Sequence, residues 1–331
     1  MASGVFRQTP WKDAEMRVVE ELSRRLADGG VVVIDGGMGT ELQARGVPMD
    51  DEAWSGVANL THDHVVQEIH EDYIRAGADV IIANTYASAR LPLERAGYGD
   101  RVVEANRRAV QAARGARDRV ADRPVAIAGS MSFAAAEDVV LRGRPGPSGS
   151  ELLEHYREQA SALTEAGADL IALEMITSPS FGRPALEAAG ETGLPVWLGV
   201  SVEVAVDGRV ATLDRPQDGL DELLDALRGS TVSAVTVMHS VIEAVPAALD
   251  VIARHWSGPV GAYPHCGDYK PPEWIFGDIT PEAFAGASAS WVERGAQLVG
   301  GCCGIRPEHI RALADTLLDQ PPEDARRAPA A

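Results

Sequence analysis

Residues 76–84 read AGADVIIAN, and residues 166–174 read AGADLIALE. In both segments a glycine follows a stretch that suits a helix and shortly precedes a run of apolar residues. Glycine accepts the left-handed conformation that ends many helices, and a continuous apolar run is typical of a strand buried on both faces. Residues 294–298 (RGAQL) repeat the arrangement. This unit of helix, glycine and strand predicts parallel βα units.

Short apolar runs of this kind recur along the 331 residues of the chain. The pattern predicts strands at Val31–Asp35, Val80–Asn84, Val125–Gly129, Leu170–Glu174, Val196–Val200, Ala234–Met238, Pro259–Tyr263 and Gln297–Gly300. Eight βα units in one chain favour an α/β fold of the closed (β/α)8 type, the TIM barrel. The alternative is an open, doubly wound sheet. However, the glycine-rich segment after the first run, Asp35–Thr40 (DGGMGT), lacks the Gly-x-Gly-x-x-Gly spacing of dinucleotide sites.

The composition favours a single cytoplasmic barrel domain over residues 1–331. With 49 acidic and 30 basic residues, the net charge of −19 disfavours binding to nucleic acid or to anionic membranes. Neither a membrane-spanning apolar run nor a signal-peptide pattern is expected. Three cysteines are too few for a disulfide framework. Gly143–Gly149 (GRPGPSG) is expected to form a mobile loop, and the tail from about residue 320 is expected to be flexible.

The active site of such a barrel lies at the carboxyl ends of its strands. In this sequence, polar or metal-binding residues follow most of the predicted strands. They are Asp35 and Gly36, Asn84–Tyr86, Ser130, Glu174, Ser201 and Glu203, His239, His265 and Cys266, and Cys302 and Cys303. Their collection at one rim indicates a functional site there.

The turn Gly301–Gly304 (GCCG) indicates a metal site. Zn²⁺ binds thiolate and imidazole ligands tetrahedrally, and its catalytic sites keep one position open. Adjacent cysteines reach one ion only if the backbone turns sharply, which the flanking glycines allow. Cys302 and Cys303 are therefore candidate ligands, although they could also be small buried residues of a tight turn. His239 is the preferred third ligand; Cys266 and His265 compete with it, and a site without a third protein ligand stays open.

Other residues at the rim are candidates for substrate binding. Asp35 and Glu174 could hold the ammonium group of an amino acid, or could cap the helices that follow them. Gly36 and Thr85 could line the pocket, although the segment around Thr85 could equally hydrogen bond the barrel rim. Trp54, in a polar loop, could cover the site or pack beside it.

The sequence resembles the homocysteine S-methyltransferase family from about Val32 to about Ala312. The resemblance rests on Asp35–Leu42 (DGGMGTEL), Trp54-Ser55, His70–Tyr86 (HEDYIRAGADVIIANTY), Leu173-Glu174, Tyr263-Pro264 and Gly300–Gly304 (GGCCG). The resemblance implies a barrel with a catalytic zinc that binds the thiolate of homocysteine, which accepts a methyl group and becomes methionine. It places the paired zinc cysteines at Cys302 and Cys303, and the acidic residues that bind the substrate at Asp35 and Glu174.

The chain departs from the family pattern around the expected metal. His239 stands where the family has its first zinc cysteine, and Met175 replaces the threonine that usually follows the glutamate. The family's Tyr-Pro-Asn reads Tyr263–His265 here, followed by Cys266. Two thiolates and a neutral imidazole on Zn²⁺ give a neutral site, whereas three thiolates give a net charge of −1. The histidine is therefore expected to strengthen thiolate binding and to make the bound sulfur a poorer nucleophile.

The expected reaction is direct methyl transfer from a sulfonium donor, S-methylmethionine or S-adenosylmethionine, to a thiol amino acid. A betaine donor, or another thiol or selenol acceptor, is the alternative within the family. Two further alternatives are a barrel enzyme that needs no metal, such as an aldolase, and a zinc- or thiol-binding barrel without activity. An aldolase would require a lysine at the end of a predicted barrel strand, and neither Lys12 nor Lys270 follows one of these strands directly.

Overall fold

A computed structural model describes residues 10–132 and 147–318 of the chain, with side chains for residues 18–132 and 147–317. Helices alternate with strands throughout this part. The helices are α1 (Pro10–Ala27), α2 (Met38–Ala44), α3 (Ala58–Thr61), α4 (Asp63–Ala76), α5 (Arg90–Arg95), α6 (Val102–Val120), α7 (Gly149–Ala166), α8 (Pro179–Glu191), α9 (Leu220–Ala226), α10 (Val245–His255), α11 (Pro281–Glu293) and α12 (Pro307–Leu318).

The strands of the described residues form a large sheet and two small ones. They are β1 (Val32–Val33), β2 (Val80–Ile82), β3 (Ala126–Ser132), β4 (Leu170–Ile176), β5 (Val196–Val200), β6 (Val202–Val204), β7 (Val210–Thr212), β8 (Arg215–Gly219), β9 (Ala234–Val241), β10 (Val260–His265), β11 (Gly267–Lys270), β12 (Glu273–Phe276) and β13 (Leu298–Val299).

Eight parallel strands form the barrel, in the order β1-β13-β10-β9-β5-β4-β3-β2. A parallel bridge between Ile34 and Val80 joins the two end strands and closes it. Each of the eight predicted strands overlaps one of these strands, so the prediction of a (β/α)8 barrel is confirmed. The closure excludes the open, doubly wound sheet.

The repeated Ala-Gly-Ala-Asp segments have a structural role. Gly77 and Gly167 end α4 and α7 with φ of 115° and 92°, which glycine adopts without strain. The aspartate of each segment then accepts a hydrogen bond from a backbone N–H of the barrel strand that precedes it in sequence. Asp79 accepts from Val33 at 3.0 Å, and Asp169 accepts from Ile127 at 2.8 Å. The repeat therefore ends a helix and fixes the next strand to its neighbour.

Two antiparallel insertions follow barrel strands at the rim that carries the predicted site residues. β6, β7 and β8 form a three-stranded sheet after β5, and β11 pairs with β12 after β10. Neither was predicted from the sequence. Most of the predicted loop at Gly143–Gly149 and the tail from about residue 320 lie outside the described residues. No helix in the described part is long and apolar enough to span a membrane.

His70 gives the fold a pH dependence that can be measured. It is fully buried in α4, and neither ring nitrogen has a hydrogen-bond partner among the described residues. Burial lowers the pKa of His70 to about 3. An unfolded histidine titrates near pH 6.5, so between these values the unfolded chain binds a proton that the folded chain does not. Stability is therefore lost as the pH falls below about 6.5.

When the pH is lowered from 7 to 5, the unfolding free energy of the His70→Leu variant should fall by about 2 kcal/mol less than that of the wild type. Urea denaturation at the two pH values measures this difference. His64→Gln, an exposed position on the same helix, is the control and should keep the wild-type slope. An unchanged slope in His70→Leu would contradict this explanation.

Candidate functional site

A histidine and two cysteines meet at the carboxyl end of the barrel. His239 lies near the end of β9, and Cys302 and Cys303 follow β13. The His239 Nδ1 atom is 3.5 Å from the Cys302 Sγ atom, which is 3.8 Å from the Cys303 Sγ atom. One potential ligand atom from each residue lies within 4.8 Å of the others. The preferred third ligand of the sequence analysis is thus next to both cysteines.

These distances fit a tetrahedral zinc ion. With Zn–S bonds of about 2.3 Å and Zn–N bonds of about 2.0 Å, two sulfur ligands lie about 3.8 Å apart, and a sulfur and a nitrogen about 3.5 Å apart. The observed separations at Cys302 agree with both values. The hydrogen bond to Cys303 and burial raise the pKa of the Cys302 thiol, which disfavours its thiolate form. A cation bound beside the sulfur would have the opposite effect and favour the thiolate. The cluster can therefore hold zinc with one coordination position open.

Glycines allow the backbone to place the two cysteines. A Cβ atom on Gly37 would lie 2.7 Å from the Cys302 carbonyl oxygen and 3.0 Å from the Cys303 Cα atom. Gly304 has φ of 81°, and a Cβ atom there would lie 1.9 Å from the Cys266 carbonyl oxygen. A side chain at either glycine would collide with the neighbouring backbone. The glycines of the Asp35–Thr40 segment and of the Gly301–Gly304 turn therefore serve the same packing.

The two competing candidate ligands, Cys266 and His265, lie outside the cluster of His239, Cys302 and Cys303. The Cys266 backbone N–H donates to the Cys303 carbonyl oxygen at 2.9 Å, but its thiol does not join the cluster. Burial raises the pKa of the Cys266 thiol. The His265 ring packs on the His239 ring, with centroids 4.6 Å apart. Burial and the neighbouring His239 lower the pKa of His265 to about 4, so its ring is neutral near pH 7.

Two buried carboxyl groups lie at the same rim, Asp35 directly after β1 and Glu174 on β4. Asp35 and Glu174 are 1% and 6% exposed. Glu174 accepts hydrogen bonds from Ser130 and Tyr263. Asp35 accepts one from the Ile82 N–H at 2.9 Å, but its second oxygen, Oδ1, has no partner among the described residues. Burial raises the pKa of both carboxyl groups, and the charge of Glu174 contributes to the rise at Asp35. The pair would be stabilised by a bound cation.

A cavity of about 560 Å³ opens at this rim, a volume typical of small-molecule sites. Its lining includes the three cluster residues and Glu174. Six tryptophan and tyrosine residues line it as well: Trp54, Tyr86, Tyr156, Tyr263, Tyr269 and Trp274. Further acidic side chains lie in its lining, namely Asp51, Glu52 and Asp214. The cavity is therefore acidic and aromatic, which suits a cationic ligand.

The remaining predicted residues lie in different places. Gly36 lines the cavity, and a Cβ atom there would lie 2.3 Å from the Ile305 carbonyl oxygen. Thr85 is fully buried behind the cavity wall, and its hydroxyl donates to the Ser130 carbonyl oxygen at 2.8 Å. This geometry agrees with the hydrogen-bonding alternative for Thr85. Glu203 lies on β6 and does not line the cavity, because the chain leaves the barrel wall directly after β5.

Several residues of the cavity have no predicted role in the sequence, among them Tyr269 and Trp274. Tyr263 belongs to the family motif Tyr263-Pro264 and lies at the predicted rim, and in the structure it donates to Glu174 from β10. Tyr269 and Trp274 belong to the hairpin β11–β12. No periodic pattern marks this hairpin in the sequence. Trp54, in contrast, was considered as a cover, and its ring lies against Gly39 and edge-on to Tyr269.

Comparisons with known proteins agree with this geometry. A family model described as homocysteine S-methyltransferase matches residues 32–317. Homocysteine S-methyltransferase YbgG of Bacillus subtilis (strain 168) is 28% identical over 86% of this chain and 93% of its own length. Homocysteine S-methyltransferase 4 of Zea mays is 31% identical, over 86% and 89%. Selenocysteine methyltransferase of Astragalus bisulcatus is 28% identical, over 86% and 92%.

The fold also matches a solved structure of the same type. The metallated form of the homocysteine methyltransferase MmuM from Escherichia coli aligns with a TM-score of 0.71 and 26% sequence identity, over 86% of this chain and 96% of that one. The family match covers the barrel from β1 to α12 and includes His239, Cys302 and Cys303. The chain is therefore an enzyme of the methyltransferase class and belongs to the homocysteine S-methyltransferase family.

Proposed function

We propose that this enzyme transfers a methyl group from a sulfonium donor to the thiol of homocysteine, with zinc held by His239, Cys302 and Cys303. The cluster geometry carries the proposal. The separations of the Cys302 sulfur from the His239 Nδ1 atom and from the Cys303 sulfur, 3.5 and 3.8 Å, match a tetrahedral site with one nitrogen and two sulfur ligands, and the cluster lines a cavity. Three protein ligands leave the fourth position for the substrate.

Zinc bound at this site would lower the pKa of the incoming thiol and hold it as a thiolate. The thiol proton leaves to solvent. The thiolate sulfur then forms a bond to the methyl carbon while the carbon–sulfur bond of the donor breaks. The electron pair of that bond neutralises the sulfonium, so a neutral thioether leaves and methionine is formed. The chain's part is to bring the two sulfur atoms into line and to exclude water.

Asp35 and Glu174 would bind the ammonium group of homocysteine. The Oδ1 atom of Asp35 has no hydrogen-bond partner, and neither carboxyl group pairs with an arginine or lysine among the described residues. An ammonium group supplies the missing charge and donors. Glu174 lines the same cavity as the cluster. One amino acid could therefore contact Glu174 with its ammonium group and the cluster with its thiol.

The aromatic and acidic wall of the cavity favours a cationic methyl donor. A sulfonium group lying between rings such as Trp54 and Tyr269 would be stabilised by their π faces and by the nearby carboxylates. S-methylmethionine and S-adenosylmethionine both carry this group. Betaine, a quaternary ammonium compound, shares the positive charge and is the alternative donor. On the acceptor side, the relative from Astragalus bisulcatus, named for selenocysteine, makes a selenol the second candidate.

An assay of the zinc-loaded protein with each pair of donor and acceptor tests the proposal. We expect methionine from homocysteine with at least one sulfonium donor, and no product with betaine. Product from selenocysteine alone would replace homocysteine as the acceptor. Bound zinc without turnover on any pair would favour a binding protein, and turnover of a carbonyl substrate without metal would favour the aldolase alternative.

A further inference from the structure

His239 has an unusual backbone conformation. Its φ is 42°, in the left-handed region that residues other than glycine seldom adopt. Such strain persists only where the surroundings enforce it, and it is common at functional sites. The structure must therefore contain groups that hold this residue.

His265 contacts His239 directly. The two rings pack with their centroids 4.6 Å apart. The Nδ1 atom of His265 is buried without a partner among the described residues. A buried nitrogen without a partner lowers stability, because it loses its hydrogen bonds to water on folding. A residue that only filled space would be apolar, so the histidine has a use other than stability.

Trp274 closes the other side of this cluster. Its ring centroid is 5.4 Å from that of His265 and 5.8 Å from that of His239. The indole N–H donates to the Cys266 carbonyl oxygen at 3.1 Å. The Gln43 side chain on α2 accepts from the Trp274 backbone N–H at 2.7 Å and donates to the Trp274 backbone carbonyl oxygen at 2.9 Å. Trp274 is thus fixed from two directions and can hold both histidine rings in place.

We infer that His265 and Trp274 are positioning residues, which keep His239 in its left-handed conformation so that its Nδ1 atom faces the two cysteine sulfurs. The inference rests on the proposed metal site and extends it to the surrounding shell. Both histidines stand where the chain departs from the family pattern, and in the structure they touch. His265 would thus be a partner that allows histidine to serve as the third ligand.

Zinc affinity tests this inference without a need for turnover. Groups that orient a metal ligand typically contribute about 10–100-fold to metal affinity. We expect His265→Ala to weaken zinc binding by about that factor, measured by competition with a chromophoric chelator. His265→Phe keeps a ring that can pack on His239, so it should weaken zinc binding less. It should unfold at the wild-type temperature or above, because it removes the orphaned nitrogen.

Co²⁺ substitution provides the second readout. The visible spectrum of bound Co²⁺ reports the ligand set, and it should shift in His265→Ala toward a site with weaker nitrogen ligation. His309→Ala is the matched control. Its ring also packs on an aromatic residue, Phe284, but it lies outside the cluster of His239, Cys302 and Cys303. The His309 ring hydrogen bonds the Ile279 carbonyl oxygen at 3.0 Å and the Arg306 backbone N–H at 3.1 Å. The variant should leave zinc affinity and the Co²⁺ spectrum unchanged.

The outcomes separate this inference from the proposed function. Wild-type zinc affinity in His265→Ala, together with weak binding in His239→Ala, would overturn the inference and leave the proposed ligand set standing. Wild-type affinity in both variants would overturn both. A loss of affinity in His309→Ala equal to that in His265→Ala would also overturn the inference, because the effect would then be one of general stability.

Discussion

The Cys302→Ser variant should lose zinc and methyl transfer together, with kcat/KM falling by about 10³-fold or more, equivalent to about 4 kcal/mol. Cys302 is the central residue of the cluster, since its sulfur lies 3.5 Å from the His239 Nδ1 atom and 3.8 Å from the Cys303 sulfur. These are the separations expected of ligands that share one tetrahedral ion. A serine hydroxyl is a poor ligand for zinc, and it cannot replace the thiolate. Zinc content by atomic absorption and the rate of methionine formation measure the two effects.

Cys266→Ser is the matched control for this prediction. Cys266 is on the adjoining segment and its backbone N–H bonds the Cys303 carbonyl oxygen, but its thiol lies outside the cluster. The variant should therefore keep wild-type zinc content and most of the rate. If Cys266→Ser lost the metal and Cys302→Ser retained it, the assignment of the ligands would be wrong.

Replacing Glu174 with glutamine should raise the KM for homocysteine by about 10–100-fold, since hydrogen bonds to charged groups contribute about 1.5–3 kcal/mol. The same change should stabilise the free enzyme. Glu174 is buried without an arginine or lysine partner among the described residues, and its burial raises its pKa, so an uncharged amide removes an unfavourable buried charge. Asp35→Asn should behave alike. Steady-state kinetics and thermal unfolding measure the two opposite effects.

Asp169→Asn provides the opposite pattern as a control. Asp169 is equally buried but pairs with Arg117 at 3.0 Å and accepts the Ile127 N–H. Its replacement should lower stability and leave the KM unchanged. A fall in stability for Glu174→Gln at an unchanged KM would show that this carboxylate has a structural role and does not bind substrate.

The sequence was a good guide where one local pattern determines both structure and position. The segments around Gly77 and Gly167 gave the helix ends and the strands that follow, because the glycine conformation and the aspartate hydrogen bond are both local requirements. The approach of His239 to Cys302 and Cys303 could be predicted for a related reason. Parallel strands place their carboxyl ends on one rim, so His239 and the Cys302–Cys303 turn had to lie near each other.

The rest depended on contacts between distant segments. The hairpin β11–β12 has no hydrophobic pattern of its own, and its position follows from hydrogen bonds between Trp274 and Gln43, 231 residues apart in sequence. Thr85 stands beside cavity residues in sequence, yet its side chain turns to the Ser130 carbonyl oxygen. The role of His265 depends on the backbone conformation of His239, which a single sequence does not show.

X-ray absorption at the zinc edge, recorded with and without homocysteine, tests the central claim most directly. The proposed ligands predict two sulfur atoms at about 2.3 Å and one histidine nitrogen at about 2.0 Å in the free enzyme, and a third sulfur at about 2.3 Å when homocysteine is added. An unchanged sulfur count on addition of homocysteine would contradict the claim that the thiol binds the metal. Three sulfur ligands before its addition would contradict the assignment of His239.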